Sequence, residues 1–329
     1  MNLPAALFAV RCLVRDTFRQ ALASRVFWLM LVVSGLCIAL CLSVHIEGVQ
    51  SLRRPGETEL IGPDDKPYTG SDPSHGQMTL AFGAVRLGLF RDAETQVHFL
   101  QSVLAQWVAG AAGTLLVLIW TAGFLPEFLQ PSAATVLLAK PVPRWSLLVG
   151  KFLGVLTFVG FQAVVFVGGT WLALGLRTGV WLPGYLLTIP LLLLNFAVIS
   201  SFAALLAVST RSTVACAFGA ILFWALCGGV NYARHAALAQ ASVAPEASPY
   251  PPVFLGAVEA GYWLLPKPAD MGILVQQAVE TNKHFGGRPE FRAVLEQGAF
   301  HPELALFTSV LFGVALLAVA ARQLARTDY

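Results

Sequence analysis

Side chains able to act as metal ligands or nucleophiles are sparse in this 329-residue sequence. The six histidines (His45, His75, His98, His235, His284 and His301) are scattered singly outside the long apolar runs. Only a site assembled across the fold could make them metal ligands; the favoured expectation is solvated or locally hydrogen-bonded imidazoles. The five cysteines (Cys12, Cys37, Cys41, Cys216 and Cys227) lie in or beside the apolar runs and include no C-x-x-C pair. They read as small core residues rather than a redox or metal site. No H-E-x-x-H helix and no G-x-S-x-G elbow occurs. The nearest thing to a phosphate-binding loop, Val149-Gly150-Lys151-Phe152, lacks the upstream glycine and the hydroxyl residue that would touch magnesium.

Chemistry inside the apolar runs is equally thin. Their polar inventory is little more than Gln162, Asn195 and scattered serines and threonines. Such side chains usually hydrogen-bond between helices. Carriers driven by protons or sodium place ionisable residues at mid-membrane, where burial is costly and therefore implies a function. This chain has none there, so it has no evident means of harnessing an ion gradient.

Two polar segments are better suited to receive work from outside. In 8–25, Val10, Leu13, Val14, Phe18, Ala21 and Leu22 recur at helical spacing, while Arg11, Arg15, Asp16, Arg19 and Gln20 fall elsewhere. That pattern predicts an amphipathic helix in the inner headgroup layer, or else an ordinary basic flank that touches only lipid. In 126–151, Glu127 is followed by the run Thr135-Val136-Leu137-Leu138-Ala139-Lys140-Pro141-Val142-Pro143-Arg144 and then by Gly150-Lys151. Pro141 and Pro143 stiffen the chain into an extended turn, as a docking surface requires. The alternative is an interfacial loop without a partner. Gly150 and Gly154 are spaced as a close helix-packing pair, and packing within one subunit is preferred to a dimer seam.

The elements that position these groups follow from composition. Apolar residues make up 57% of the chain and charged residues 12%, with a mean hydropathy of +0.70. Soluble domains need about a quarter of their residues charged, so the chain reads as an all-α polytopic membrane protein. A net charge of +3 is too small to imply a nucleic-acid partner. Six stretches are long enough to cross a bilayer as helices: 26–44, 104–125, 152–174, 180–208, 213–230 and 304–321. Pro183 and Pro190 predict a tilt or kink in the fourth. The first reads as a retained span, because its polar lead and apolar run are both too long for a signal peptide.

Basic residues bias the orientation to N-in, C-in. Arg11, Arg15, Arg19, Arg25, Lys140, Arg144, Lys151, Arg211, Arg322 and Arg326 then lie inside, against only Asp16, Glu127 and Asp328. The extracytoplasmic segments become 45–103 and 231–303. The first is expected to turn helical from about Ala84, and the second to hold a helix near 270–283. Each is too short and polar for a substantial core of its own.

The residues above resemble the permease subunit of an ABC transporter of the type-2 exporter class, and within it permeases associated with multicopper-enzyme maturation. The likeness rests on three stretches. The first is Arg15-Asp16-Thr17-Phe18-Arg19-Gln20-Ala21-Leu22 with Arg25-Val26-Phe27-Trp28. The second is Gly123-Phe124-Leu125-Pro126-Glu127 leading to 137–144 and Gly150-Lys151. The third is Arg326-Thr327-Asp328. The chain departs from that family at Gln130-Pro131-Ser132-Ala133, where the family often has Gly-Thr.

The resemblance implies a single permease domain over 1–329, with 1–25 as an elbow helix and 126–151 as a cytoplasmic coupling loop. Glu127, Thr135, Leu138, Lys140, Pro141, Arg144 and Lys151 would meet a cytoplasmic ABC ATPase subunit. Arg11, Arg15, Phe18, Arg19 and Arg25 would belong to the elbow. The chain itself would be no enzyme and carry no cofactor, since ATP and magnesium would be bound by the ATPase. A second permease copy or homologue and membrane lipid complete the expected partners, in a bacterial-type cytoplasmic (inner) membrane. The alternative function is a membrane anchor or assembly factor that holds an extracytoplasmic partner without transport.

Overall fold

The computed structural model describes residues 3–47, 77–88, 93–129, 143–243, 250–281 and 289–326. Six helices are long and apolar enough to cross a membrane: Arg25–Leu42, Glu94–Phe128, Arg144–Thr178, Pro183–Thr210, Thr213–Ala241 and Pro302–Arg326. Their outward faces are apolar at helical spacing, as Phe218, Leu222 and Leu226 or Phe307, Leu311 and Val314 show. Stripes of this kind belong against hydrocarbon rather than water. The chain therefore has the architecture of a multi-pass membrane protein.

In chain order the first elements are α1 (Leu3–Ala23), α2 (Arg25–Leu42) and three short strands, β1 (His45–Glu47), β2 (Gln77–Leu80) and β3 (Val85–Gly88). Next come α3 (Ala93–Val103), a π-helical stretch (Leu104–Gly113), α4 (Thr114–Thr121) and α5 (Phe124–Phe128). The third crossing is α6 (Arg144–Ala163), a second π-helical stretch (Val164–Gly168) and α7 (Gly169–Thr178). A 3₁₀ turn (Pro183–Leu187) leads into α8 (Thr188–Thr210), followed by α9 (Thr213–Val243), α10 (Pro252–Leu264), α11 (Pro268–Ala278), α12 (Pro289–Glu296) and α13 (Pro302–Arg326).

Pro183 opens the 3₁₀ turn, so the irregularity expected of the fourth span sits at its start. Pro190, by contrast, lies in the first turn of α8, where its missing N–H costs no bond. The fifth span does not stop at 230. Asn231-Tyr232-Ala233-Arg234-His235-Ala236 contains no breaker, and α9 runs to Val243. A helix also fills Pro268–Ala278, overlapping the stretch read as helical near 270–283.

The helix expected from about Ala84 into the second span starts later, at Ala93, and strand rather than helix follows Ala84. Ala81, Phe82 and Gly83 all have positive φ, which closes a tight turn, and β3 begins at Val85. The strands form an antiparallel sheet in the order β1-β2-β3, with His45 opposite Thr79 and Leu80 opposite Val85. Met78 packs with Cys41, Val44, Ala173 and Leu174, so this small sheet rests on the ends of α2 and α7.

The main core is aromatic. Phe158 meets Trp120 at 4.3 Å and Phe27 at 5.4 Å between ring centroids. Lipid tails are as apolar as these rings, so dispersion and interhelical hydrogen bonds hold the helices together. Trp120 Nε1 donates to Ser24 Oγ at 3.0 Å, and Gln162 Nε2 donates to Ser34 Oγ at 2.7 Å and to the Met30 carbonyl at 3.1 Å. Gln162 thus does the interhelical work expected of it.

Candidate functional site

The bundle has two dissimilar ends, and three of the predicted coupling residues, Glu127, Arg144 and Lys151, lie at the end that carries α1. Gly150 and Gly154 let α1 come into contact with α6. A Cβ added at Gly150 would stand 2.9 Å from Leu13 Cδ1 and 3.2 Å from Val10 Cα, and one at Gly154 would stand 2.7 Å from Thr17 Cβ. The glycine pair therefore packs within one subunit. It also explains where the apolar face of α1 goes. Most of that face, expected against lipid, lies on protein: Phe18 makes edge contacts with Phe158 and Phe161, and Thr17 and Ala21 are buried. Leu7, Phe8 and Leu22 remain exposed. Arg11, Arg15 and Arg19, each four residues apart, stay exposed, and so does Arg25.

Lys151 is the centre of this end. It is 3% exposed, so its ammonium must find acceptors inside the protein. Nζ donates to Gln20 Oε1 at 2.6 Å and sits 5.6 Å from the centroids of both Phe124 and Phe128. Asp16 and Glu127 act on it as nearby negative charges, and Gln20 Nε2 in turn donates to Asp16 Oδ2 at 3.3 Å. Glu127 is exposed in α5. Arg144 Nη1 donates to the carbonyls of Leu324 and Ala325 at 3.4 and 3.3 Å, which places a cation on the last turn of α13. The structure thus brings Glu127, Arg144 and Lys151 to the end that holds α1. Thr135, Leu138, Lys140 and Pro141 lie outside the described residues.

The opposite end holds a polar network that the sequence did not disclose. Asp270 on α11 is fully buried. Its Oδ1 takes a hydrogen bond from His235 Nε2 at 2.7 Å and its Oδ2 takes one from the Tyr262 hydroxyl at 2.6 Å. His235 and Lys267 are fully buried as well. Lys267 Nζ donates to Thr308 Oγ1 at 2.7 Å and lies 4.8 Å from the Tyr262 ring centroid. Burial pulls the Lys267 ammonium below the usual lysine range, and Asp270 acts against that pull. Burial, and then the neighbouring Asp270 carboxylate, push the Tyr262 hydroxyl well above its usual value and keep it protonated. Asn231 ties down the start of α11, donating to the Pro266 carbonyl at 3.5 Å and accepting from the Ala269 amide at 3.3 Å. The network joins α9, α10, α11 and α13.

At its rim, Arg234 Nε donates to Glu259 Oε2 at 2.8 Å, and Trp263 Nε1 donates to Glu259 Oε1 at 2.8 Å. Partial burial raises the Glu259 carboxyl, but the hydrogen bonds from Arg234 and Trp263 outweigh it, and the net shift is downward. A lowered folded-state value means the pair stabilises the fold above the ordinary carboxylate range and is lost as pH falls through the folded value. The carboxylate side chain is 50% exposed, so the effect is small, about 0.5 kcal/mol. Thermal midpoints measured in detergent between roughly pH 6 and pH 3 should fall. Glu259→Gln should flatten part of that fall, and an unchanged slope in the variant would refute this assignment.

Between the two ends, on the α11 side, a cavity of about 490 Å³ is lined by the first π-helical stretch, α8, α9 and α11. A smaller apolar one, about 170 Å³, lies among α2, both π-helical stretches and α8, with Gln162 in its wall. Among the described residues, no group of three or more His, Cys, Asp or Glu side chains is arranged to hold a metal ion.

Sequence reasoning missed the buried network because His235 and Asp270 lie 35 residues apart in different elements. One signal was available: Asn231, Arg234 and His235 continue the helical periodicity of the fifth span without a breaker. Compared with protein-family models and with curated proteins, the chain matches none.

Proposed function

We propose that this chain is the membrane-embedded permease subunit of an ATP-driven transporter of the ABC type-2 class, with ATP hydrolysed by a separate cytoplasmic subunit. The observation that carries the reading is the construction of the α1 end. An amphipathic helix with an exposed arginine row is fastened to α6 through Gly150 and Gly154, and the flanks of 130–142 are held by Lys151 and Arg144. Such an end is stiff where force would enter. A push on the loop would reach α1 through Lys151 and Gln20, and α13 through Arg144. In this reading the α1 end faces the cytoplasm, as the arginine bias requires. Two permeases pair around the path, cargo moves outward, and the membrane is the cytoplasmic one.

A second observation agrees. Ionisable side chains of the spans lie near their ends, so an external motor suits the body better than an ion gradient. The test is copurification. The chain is expressed with a candidate ATPase subunit, and residues 135–141 are replaced by a Gly/Ser segment of equal length. The complex should be lost while the permease still inserts in the membrane. A complex that survives the replacement would sink the proposal.

A further inference from the structure

The β2-β3 hairpin points back toward the membrane. α2 has 18 residues and so is about 27 Å long, just under the roughly 30 Å of a hydrocarbon core. Leu42 therefore stands at the edge of the acyl chains. Two side chains mark the same level. Arg177, exposed at the end of α7, donates from Nε to the Val44 carbonyl at 3.2 Å. Trp181, also exposed, meets the Trp171 ring at 4.9 Å between centroids. Arginine and tryptophan gather where headgroups meet acyl chains.

The sheet register fixes where the hairpin turns. β1 leaves the end of α2, and β2 returns antiparallel, with Glu47 opposite Gln77 and His45 opposite Thr79. From Gln77 to Leu80 the chain thus runs back to the end of α2. Leu80 packs there on the cluster of Cys41, Val44 and Leu174, which Ile38 joins from a turn deeper in α2. The turn 81–84 lies one step beyond Leu80, and β3 then carries the chain away with Arg86 opposite Thr79.

What the turn presents at that depth is a phenyl ring. Phe82 is 82% exposed, and Val85 beside it is exposed as well. Leu80-Ala81-Phe82-Gly83-Ala84-Val85 carries no charge and no polar side chain. The nearest charge along the hairpin, Arg86, comes level with Thr79 and His45, at headgroup height. Ala81 and Phe82 have φ of 52° and 57°, a left-handed pair that hairpins normally build from Asn and Gly. Holding two L-residues there costs about as much as burying a phenyl ring returns. A ring standing in water would leave that strain uncompensated, whereas acyl chains offset it.

We infer that the hairpin tip is a membrane anchor. Phe82 inserts into the leaflet at the end opposite α1, and the phospholipid bilayer is its partner. The anchor holds the small sheet down on the ends of α2 and α7. It requires only a multi-pass chain and no motor, so it can fail while the transport reading stands.

The test reads depth in the full chain in phosphatidylcholine nanodiscs. Cys12→Ser removes the exposed thiol, and that variant alone supplies the background. One new cysteine at a time is then spin-labelled. Its collisions with oxygen, which concentrates among acyl chains, are compared with those of a water-bound nickel chelate. The label at Phe82→Cys should favour oxygen, as one at the exposed Leu311→Cys on α13 does, and unlike one at the exposed Glu296→Cys on α12. Phe82→Asn gives a second readout with a residue that suits the turn. It relieves one of the two strained positions but gives up all of the ring's burial, so hydrogen exchange of the β2 and β3 amides should speed up about fivefold. A label at 82 that favours nickel, or exchange that slows or stays unchanged in Phe82→Asn, would put the ring in water and overturn the inference. A label shielded from both reagents would make the tip a contact with protein, such as a second copy, and overturn it equally.

Discussion

Replacing Asp270 by alanine should cost about 3–5 kcal/mol of stability, the largest effect expected of any single substitution in this protein. Three groups depend on that carboxylate. His235 Nε2 and the Tyr262 hydroxyl both donate to it, at 2.7 and 2.6 Å, and neither donor can turn to water, because His235 and Tyr262 are both buried. Lys267, equally buried, has Asp270 as the counter-charge that opposes the desolvation of its ammonium. Alanine removes all three compensations at once and leaves a buried cation. Asp270→Asn keeps one acceptor but sets an amide N–H against a donor, so it should cost less, about 1–3 kcal/mol. A double-mutant cycle separates the network from mere loss of volume. His235→Ala and Asp270→Ala together should cost clearly less than the sum of the two, because each removes the same bond. Denaturant unfolding in a mild detergent gives these values. A cost below about 1 kcal/mol for Asp270→Ala would mean that the network is ornamental.

This network also marks where sequence reasoning runs out. The six spans are legible because hydrocarbon punishes charge, so the signal is written in every residue between Arg25 and Leu42 or between Thr213 and Val230. Beyond the lipid that punishment ends. Asn231 to Val243 looks like a loop by hydropathy, although nothing in it breaks a helix. Contacts such as His235 with Asp270 or His98 with the Val279 carbonyl depend on tertiary placement, and no spacing rule anticipates them. The hairpin that displaced the helix expected at Ala84 turns on positive φ at Ala81 and Phe82, which favours neither residue type. Flanks of the predicted loop were readable because Arg144 and Lys151 stand at the edge of an apolar run, where a charge must find company. What company they find, the last carbonyls of α13 and the Gln20 side chain, was not readable. The amphipathic pattern of α1 was clear too, but such a pattern says only that one side is apolar. The clue that protein covers that side lay elsewhere in the chain, in the Gly150-x-x-x-Gly154 pair.

That clue supports the second large prediction: Gly154→Ala should loosen α1 from α6. The added methyl would stand 2.7 Å from Thr17 Cβ, 2.8 Å from its Oγ1 and 3.1 Å from its Cγ2. All three atoms belong to one β-branched side chain that is 1% exposed and stiff at χ1, so no rotation relieves the clash and the helices must part. Overpacking of this kind costs about 1–3 kcal/mol. Parting also carries Gln20 away from Lys151, which then loses the acceptor 2.6 Å from its Nζ. Trypsin provides the readout, since Arg11, Arg15 and Arg19 are exposed but sit on a helix that is clamped along its length. Cleavage at those arginines should speed up about tenfold for each 1.4 kcal/mol lost. A compensating swap guards against a trivial result. Thr17→Gly removes the atoms that the methyl strikes, so Gly154→Ala with Thr17→Gly should recover most of the protection, less about 1 kcal/mol for glycine inside a helix. Unchanged cleavage in the single variant, or no recovery in the double one, would show that α1 is held by something other than this contact. Under the transport reading the single variant should also uncouple, because the helix it frees is the one that a push on the loop would reach through Lys151 and Gln20.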